Sequence, residues 1–331
     1  MIITRTPFRI SFFGGGTDYP GWYREYGGAV LATTINKYCY ITCRHLPPFF
    51  EHKHRIVYSR IENVVHHEQI EHPAVRALLG WAGVTDGLEI HHDGDLPARS
   101  GLGSSSSFTV GLLNALYGLR GRMTSKEELA KNAIHVEQNV IGESVGSQDQ
   151  VSAAYGGFNR IEFHRNDSFD VAPVTLGISR REELRSHLML CFTGFSRIAS
   201  DVAKSKIENL KRRETELRRM GEMVEEAIGL LQDDRRPIED FGKLLDTSWK
   251  YKRSLSDRVS TPEIDQIYSA AIDAGAIGGK ILGAGGGGFL LLFAKPARQA
   301  AIRQRLDKLI HVPFDFEDSG SRVVLYQPNG L

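Results

Sequence analysis

Cysteine is nearly missing from this chain. Cys39, Cys43 and Cys191 are the three in 331 residues, too few and too odd in number for a disulfide framework. Net charge is nearly missing as well: 41 Lys and Arg stand against 40 Asp and Glu, a balance of +1. That balance offers no electrostatic footprint for nucleic acid or for an anionic membrane. Long hydrophobic runs are lacking, since the longest obvious one is Phe289 to Ala294, against the roughly 20 residues of a membrane helix. The N-terminal stretch MIITRTPFRISFFGGG lacks the order of charged leader, apolar segment and small-residue cleavage site that marks an export signal. The expectation is a reduced, cytoplasmic protein with neither nucleic acid nor membrane as partner. No internal repeat is found, and no metal motif either. His67 and His72 in HEQIEH stand one residue too far apart to share a helix face as H-E-x-x-H requires.

What the chain does have is glycine. There are 34 among 331 residues, about a tenth, where ordinary usage is roughly 7%. Twelve of them fall in three clusters: 14–16, 101 and 103, and 278–288. The excess is therefore local, which points to a few places needing bare backbone rather than to general loopiness. The length suits two domains at roughly 150 residues each, with hydrophobic content (41%) and charged content (24%) of an ordinary globular protein.

Patterning predicts strands and helices mixed along the chain. Ile2–Arg5 and Phe8–Phe13 read as short strands interrupted by Pro7, and Tyr38–Cys43, Arg55–Tyr58 and Leu88–His91 as further strands. Phe108–Leu119 has helical spacing, and Ser125 with Glu128 forms a capping box for a helix running to about Ile141. A short helix is expected over Gln148–Ala154, then strands over Phe158–Phe163 and Phe169–Leu176. The charged segment SRREELRSH at 179–187 reads as a link, which sets domains of 1–178 and 179–331. Beyond it come a strand at Leu188–Phe192, one long charged helix from Asp201 to about Leu231, and helices near Pro237–Leu255, Pro262–Ala274 and Ala297–Leu309. Strands close the pattern at Phe289–Phe293 and Val323–Tyr326.

The middle cluster, LPARSGLGSSSSF at 96–108, places Gly101 and Gly103 in a tight turn and Ser104 to Ser107 at a helix start. Unpaired N–H groups and the positive dipole end attract anions there, and hydroxyls can ligate a phosphate-bound Mg²⁺. A phosphate cradle and an ordinary Ser-capped helix fit these residues about equally. The third cluster holds a literal G-x-G-x-x-G from Gly283 to Gly288. It precedes the strand-like FLLLF, whereas a dinucleotide site would follow a strand and open a helix. It reads as a hairpin loop, or as a second wall over phosphates or sugar. The first cluster, PFRISFFGGGTDY at 7–19, sets an Arg before a glycine turn and an Asp after it, suiting either a hydroxylated ligand or a surface hairpin with an ion pair.

These three segments, in this order, resemble the GHMP kinase family of galactokinase, homoserine, mevalonate and phosphomevalonate kinases. The resemblance implies an α+β, two-domain fold. Its N-terminal domain is ribosomal-protein-S5-like, its C-terminal domain is ferredoxin-like, and the active site lies in the cleft between. It implies ATP and Mg²⁺ as cofactors. Asp149 matches the catalytic base. An anomeric hydroxyl is more acidic than an ordinary alcohol and needs less help from a base, which leaves orienting it as the other role open to Asp149. Arg9 matches the basic partner placed to stabilise the transferring phosphoryl group. Gly101, Leu102, Gly103, Ser104, Ser105 and Ser106 match the nucleotide loop, and Ser105 with Glu137 the metal ligands. Gly15, Gly16, Thr17, Asp18 and Tyr19, together with Arg197, Gly285 and Gly286, match the sugar-facing positions. One departure is four serines, Ser104 to Ser107, where many members have Ser-Ser-Ala.

Within the family, RISFFGGGTDYP, GGAVLATTINKYCYITC, GESVGSQDQVSAAYGGFN and TGFSRIAS are most similar to the branch that phosphorylates C1 of D-glycero-D-manno-heptose 7-phosphate, with the kinase domain of fucokinase a near relative. The expected partners are a sugar phosphate and ATP, with a homodimer left open. Two rivals stand beside this expectation. One is a kinase for fucose, galactose or mannose 6-phosphate. The other is a non-catalytic protein of this fold, which should have lost one of Arg9, Ser105, Glu137 and Asp149; all four are present.

Overall fold

The computed structural model describes residues 1–98, 100–194, 202, 205 and 207–328, the side chain of residue 211 excepted. Among these, two sheets organise the chain. The larger has nine strands and is built on the antiparallel pair β1 (Ile2–Phe13) and β2 (Gly28–His45). Strand β1 is continuous rather than broken at Pro7. The register instead shifts between Pro7 and Phe8, a bulge that accommodates a residue with no N–H to give the ladder. The far half of β2 pairs with β5 (Leu88–Gly94), and its near half with β6 (Phe158–Phe163). Two small strands, β3 (His54–Val57) and β4 (Ile61–Val64), extend the sheet beyond β5, and β7 (Phe169–Pro173) flanks β6.

Five helices place the site. They are α1 (Pro20–Tyr26), α2 (Pro73–Trp81), α3 (Ser104–Leu119), α4 (Lys126–His135) and α5 (Gln148–Tyr155). Two of them, α3 and α5, pack directly on this sheet. Ser125 caps α4 by accepting from the Glu128 N–H. The helix expected to run on to Ile141 instead changes to a π-helical turn over Val136–Ile141, a form that recurs at functional sites. Glu137 sits in that turn.

The segment 179–187 runs from the first sheet to the second and is itself helical. It forms α6 (Ile178–His187), anchored by the buried Arg180, whose Nη2 donates to the Leu230 and Arg236 carbonyls. The second sheet has four strands in the order β11-β8-β10-β9, from β8 (Leu188–Phe192), β9 (Gly278–Ile281), β10 (Phe289–Phe293) and β11 (Ile310–Val312). Its strand FLLLF is apolar throughout because both of its faces are covered. Phe289, Leu291 and Phe293 join the main core with Phe12, Phe13 and Phe241, while Leu290 and Leu292 join a second core with Trp249, Ile264 and Ile302.

The long charged helix is interrupted: residues 207–209 are helical, a 3₁₀ turn follows at Leu210–Arg213, and then α7 (Glu214–Gln232). Its apolar side, Leu217, Met220, Val224, Ala227 and Leu231, is buried, and its charges pair along the outer face, as in Arg218 with Glu214 and Arg219 with Glu226. Three more helices follow: α8 (Glu239–Ser254), α9 (Pro262–Asp273) and α10 (Pro296–Arg305). The chain then returns to the first sheet. Strand β12 (Phe316–Glu317) pairs with β2, and β13 (Arg322–Tyr326) pairs with β1. Residues 316–326 thus belong structurally with the N-terminal sheet, a crossing that no local pattern in the sequence marks.

Candidate active site

A cleft of about 230 Å³ opens between the two sheets, and residues of all three glycine clusters line it. Arg9 enters from β1 with a side chain 4% exposed. Its Nε and Nη2 donate to Oδ1 and Oδ2 of Asp149, each at 2.8 Å, and Nη1 donates to the Gly101 carbonyl at 2.7 Å. A fork matched to both carboxylate oxygens fixes the plane of the carboxylate as well as its position. Two of the five guanidinium N–H groups are not used by these bonds. Asp149 lies in the first turn of α5.

Gly103 stands at the N-cap of α3 with φ +74. A Cβ there would fall 3.3 Å from both Arg9 Cγ and Asp149 Oδ2, so bare backbone lets the 101–104 loop lie against the ion pair. Ser104, Ser105 and Ser106 line the cleft over the N-terminal end of this 16-residue helix, the arrangement that receives phosphate. Leu102 plays a different part. Its side chain is fully buried, and its carbonyl accepts from the Arg9 N–H.

The first glycine cluster is brought to the same cleft. Gly15, Gly16, Asp18 and Tyr19 line it. Asp18 is 3% exposed and accepts from the Gly16 N–H at 2.8 Å and from Gln148 Nε2 at 3.0 Å. Tyr19 is buried, and desolvation pushes its hydroxyl pKa well up. Thr17 faces away, its hydroxyl donating to the carbonyls of Gly14 and Ala29, so it shapes the turn rather than the cleft. Arg197 lies outside the described residues.

The third cluster differs from the expectation. Gly283 and Ala284 line the cleft, whereas Gly285 and Gly286 lie behind it. The Gly286 N–H donates to the Val259 carbonyl, and a Cβ on Gly285 would stand 2.7 Å from that oxygen. This loop is also docked onto the middle glycine cluster. Phe289 N donates to the Ser100 carbonyl, and a Cβ on Gly288 would fall 2.2 Å from the same oxygen. Two of the glycine clusters are glycine partly because they touch each other.

Glu137 is fully buried beneath the serines. Its Oε2 accepts from Ser106 Oγ at 2.9 Å and from Gln150 Nε2, while Oε1 is buried without a hydrogen-bond partner. Burial pushes its pKa up to about 7. The serine bonded to it is Ser106; Ser105, the other residue the resemblance implies as a metal ligand, stands exposed on the cleft wall. Among the described residues no group of three or more His, Cys, Asp and Glu side chains could hold a metal ion. Mg²⁺ at a nucleotide needs no such cage, because phosphates and water supply most of its oxygens. A carboxylate with one unmet oxygen and a nearby hydroxyl are hard donors that fit it.

Sequence reasoning missed several lining residues, among them Lys252, Lys280, Glu143 and Gln148. Lys252 and Lys280 are buried cations of the second-sheet region, with Nζ donating to the Ile281 and Gly283 carbonyls and to the Phe12 carbonyl, each at 2.7 Å. Glu143 and Gln148 also line the cleft. The adjacency of Lys280 to the glycine run was a usable signal; nothing local marked the others. Tyr38 and Trp81, aromatic residues that could have met a base, are not among the lining residues. Tyr38 donates to Glu317 instead.

The chain matches the family model of the GHMP kinase N-terminal domain over residues 66–157 and that of the GHMP kinase C-terminal domain over residues 209–311. It is 31% identical over 328 residues to the D-glycero-alpha-D-manno-heptose 7-phosphate kinase of Campylobacter jejuni, covering 93% of each chain. The chain belongs to the GHMP kinase family. This GHMP kinase is a phosphotransferase, and the family uses ATP as phosphoryl donor. It is 26% identical to the bifunctional fucokinase/GDP-fucose pyrophosphorylase of Arabidopsis thaliana over 93% of its own length and 31% of that protein's. Its fold matches a crystal structure of a D-glycero-D-manno-heptose 1-phosphate kinase from Bacteroides thetaiotaomicron with a TM-score of 0.79 over 98% of both chains, at 24% identity. A sugar kinase structure from Campylobacter jejuni matches at a TM-score of 0.70 and 26% identity over 97% of both chains. No helix among the described residues is long and apolar enough to cross a membrane.

Proposed function

We propose that this GHMP kinase transfers the γ-phosphoryl group of ATP to the anomeric C1 hydroxyl of D-glycero-D-manno-heptose 7-phosphate. The products are the 1,7-bisphosphate and ADP, and the bisphosphate would supply the synthesis of GDP-heptose for surface polysaccharide. One observation carries the chemistry: the bidentate Arg9–Asp149 pair joins the phosphate loop, through Gly101, to the sugar-facing loop, through Gln148 and Asp18. The similarity to the Campylobacter jejuni heptose 7-phosphate kinase supports the choice of sugar.

Phosphoryl transfer depends mainly on alignment and on neutralising charge. The amides at the start of α3 would hold the nucleotide phosphates, and Arg9 would meet the transferring group with its unused N–H donors. Asp149 accepts the C1 hydroxyl proton as the new O–P bond forms and the bond to ADP breaks. An anomeric hydroxyl is more acidic than an ordinary alcohol, so orienting it is a large part of that work. Asp18 would fix the sugar ring through a hydroxyl. Ser105 and Glu137 would hold Mg²⁺, which when bound supplies positive charge to the phosphates.

A coupled ADP-release assay across heptose 7-phosphate, mannose 6-phosphate, fucose and galactose tests the reading. Heptose 7-phosphate should have the highest kcat/KM. An unphosphorylated sugar turning over as well would overturn the choice of substrate. ATP binding with no transfer to any of them would favour a non-catalytic role.

A further inference from the structure

Two buried polar atoms in the cleft have no partner in the protein. Ser11, two residues after Arg9 on β1, is 5% exposed, and its Oγ is buried without a hydrogen bond. Gln148 is 9% exposed, and its Oε1 is likewise unmet. The amide of Gln148 cannot relieve this by turning over. Its Nε2 donates to Asp18 Oδ2 at 3.0 Å, and a flip would set a carbonyl oxygen against a carboxylate oxygen. An unmet buried polar atom carries a standing penalty of about 1–3 kcal/mol, so two in one place call for an explanation.

Gly15 lies between them. Its backbone is not in the left-handed region, and a Cβ added to it would stand 3.7 Å from Ser11 Oγ and 3.7 Å from Gln148 Nε2, with nothing closer. Any small side chain would fit the protein there. Neither the backbone conformation nor the packing of the protein explains this glycine, in contrast to Gly288. All three residues line the cleft on the side of Asp18.

We infer that Ser11, Gly15 and Gln148 form a specificity subsite that receives a hydroxyl-bearing carbon of the acceptor sugar. Gln148 Oε1 accepts from a substrate hydroxyl, Ser11 Oγ donates to a substrate oxygen, and Gly15 leaves the room that a Cβ would fill. A site built this way rejects a ligand that lacks the hydroxyl, because its own buried groups then stay unpaired. The inference rests on the proposal that the cleft binds a sugar as phosphoryl acceptor.

The test uses Ser11→Ala and Gly15→Ala in the full chain, with heptose 7-phosphate as the acceptor probe. Each should raise KM for the acceptor about ten-fold, which corresponds to roughly 1.4 kcal/mol, and leave KM for ATP within two-fold. Ser11→Ala removes a hydroxyl that bonds to nothing in the protein, so the thermal midpoint of the unliganded variant should stay level or rise. A purely structural serine would lower the midpoint and move both KM values together. Unchanged acceptor KM in both variants, with the wild type active, overturns the subsite alone. A wild type inactive on heptose 7-phosphate and on every other sugar overturns the proposed function beneath it. Activity on another sugar moves the same comparison to that substrate.

Discussion

Replacing Glu137 by Gln isolates the energetics of the carboxyl buried under the phosphate loop. Burial raises the pKa of Glu137 from 4.5 to about 7, with the Thr109 hydroxyl beside it, the Ser106 hydroxyl and the Gln150 amide favouring the charged form less strongly. In the unfolded chain the group loses its proton near the ordinary carboxylate value; in the folded chain it keeps it to about neutral pH. The folded state therefore holds more protons between these limits, and stability falls as pH rises through that window. A shift of this size amounts to about 3 kcal/mol once the pH is above both values. The Glu137→Gln side chain would keep the shape and accept from Ser106 and Gln150 through its carbonyl, with no charge to bury. Denaturation should be followed at pH 5, 6, 7 and 8 without nucleotide or divalent cation. The variant should lead by no more than about 1 kcal/mol at pH 5 and gain progressively to about 3 kcal/mol at pH 8, a difference of several degrees in Tm. Mg²⁺ with ATP should narrow the gap by stabilising only the wild-type carboxylate. Parallel pH curves, or a variant less stable at pH 8, would refute the reasoning.

Asp149→Asn should lower kcat by about two to four orders of magnitude while the Kd for ATP stays within about three-fold, as read by calorimetry; unchanged turnover would remove Asp149 from the mechanism. Gly146→Ala places a Cβ 1.9 Å from Asp18 Oδ2, so the carboxylate must move and KM for the sugar should rise more than about ten-fold with KM for ATP unaltered. Gly288→Ala adds a Cβ 2.2 Å from the Ser100 carbonyl at a φ of +89; it should lower stability by a few kcal/mol and raise KM for ATP by displacing the phosphate loop. The thiols of Cys43 and Cys191 are pushed up to about 12 by burial, and Cys39 is buried with them. A disulfide reagent at pH 8 should therefore find these thiols unreactive until denaturant is added.

The sequence disclosed the site where the chemistry is local and hid it where the chemistry depends on long-range contact. Arg9, Asp18 and the serine loop stand beside glycine clusters, so composition alone draws notice to them. Asp149 and Glu137 become legible only through the family resemblance, because a carboxylate on a helix resembles any other until Arg9 or Ser106 is seen to touch it. Lys252 reaches the cleft from the last turn of α8, and nothing near it in the chain signals that. The 278–288 run is legible as a bare-backbone loop, yet only part of its role is: Gly285 and Gly286 pack on Val259, and the run docks on Ser100 rather than only walling a ligand. Elements marked by short unbroken apolar runs, β8 and β10, and the short helix α5 lie close to their expected positions. Segment 179–187 shows its place between the sheets but not its helix, because a charged stretch with one buried arginine carries little periodicity, and β13 gives no hint of its partner, since strand pairing between the two ends of the chain leaves no local trace.

The most direct test of the central proposal is to identify the product by phosphorus NMR after incubating the enzyme with ATP, Mg²⁺ and D-glycero-D-manno-heptose 7-phosphate. The account predicts a second sugar phosphate signal, coupled to the anomeric proton, appearing in step with ADP while the 7-phosphate signal persists. ADP formed with no anomeric phosphate, or a phosphate at another carbon, would contradict it.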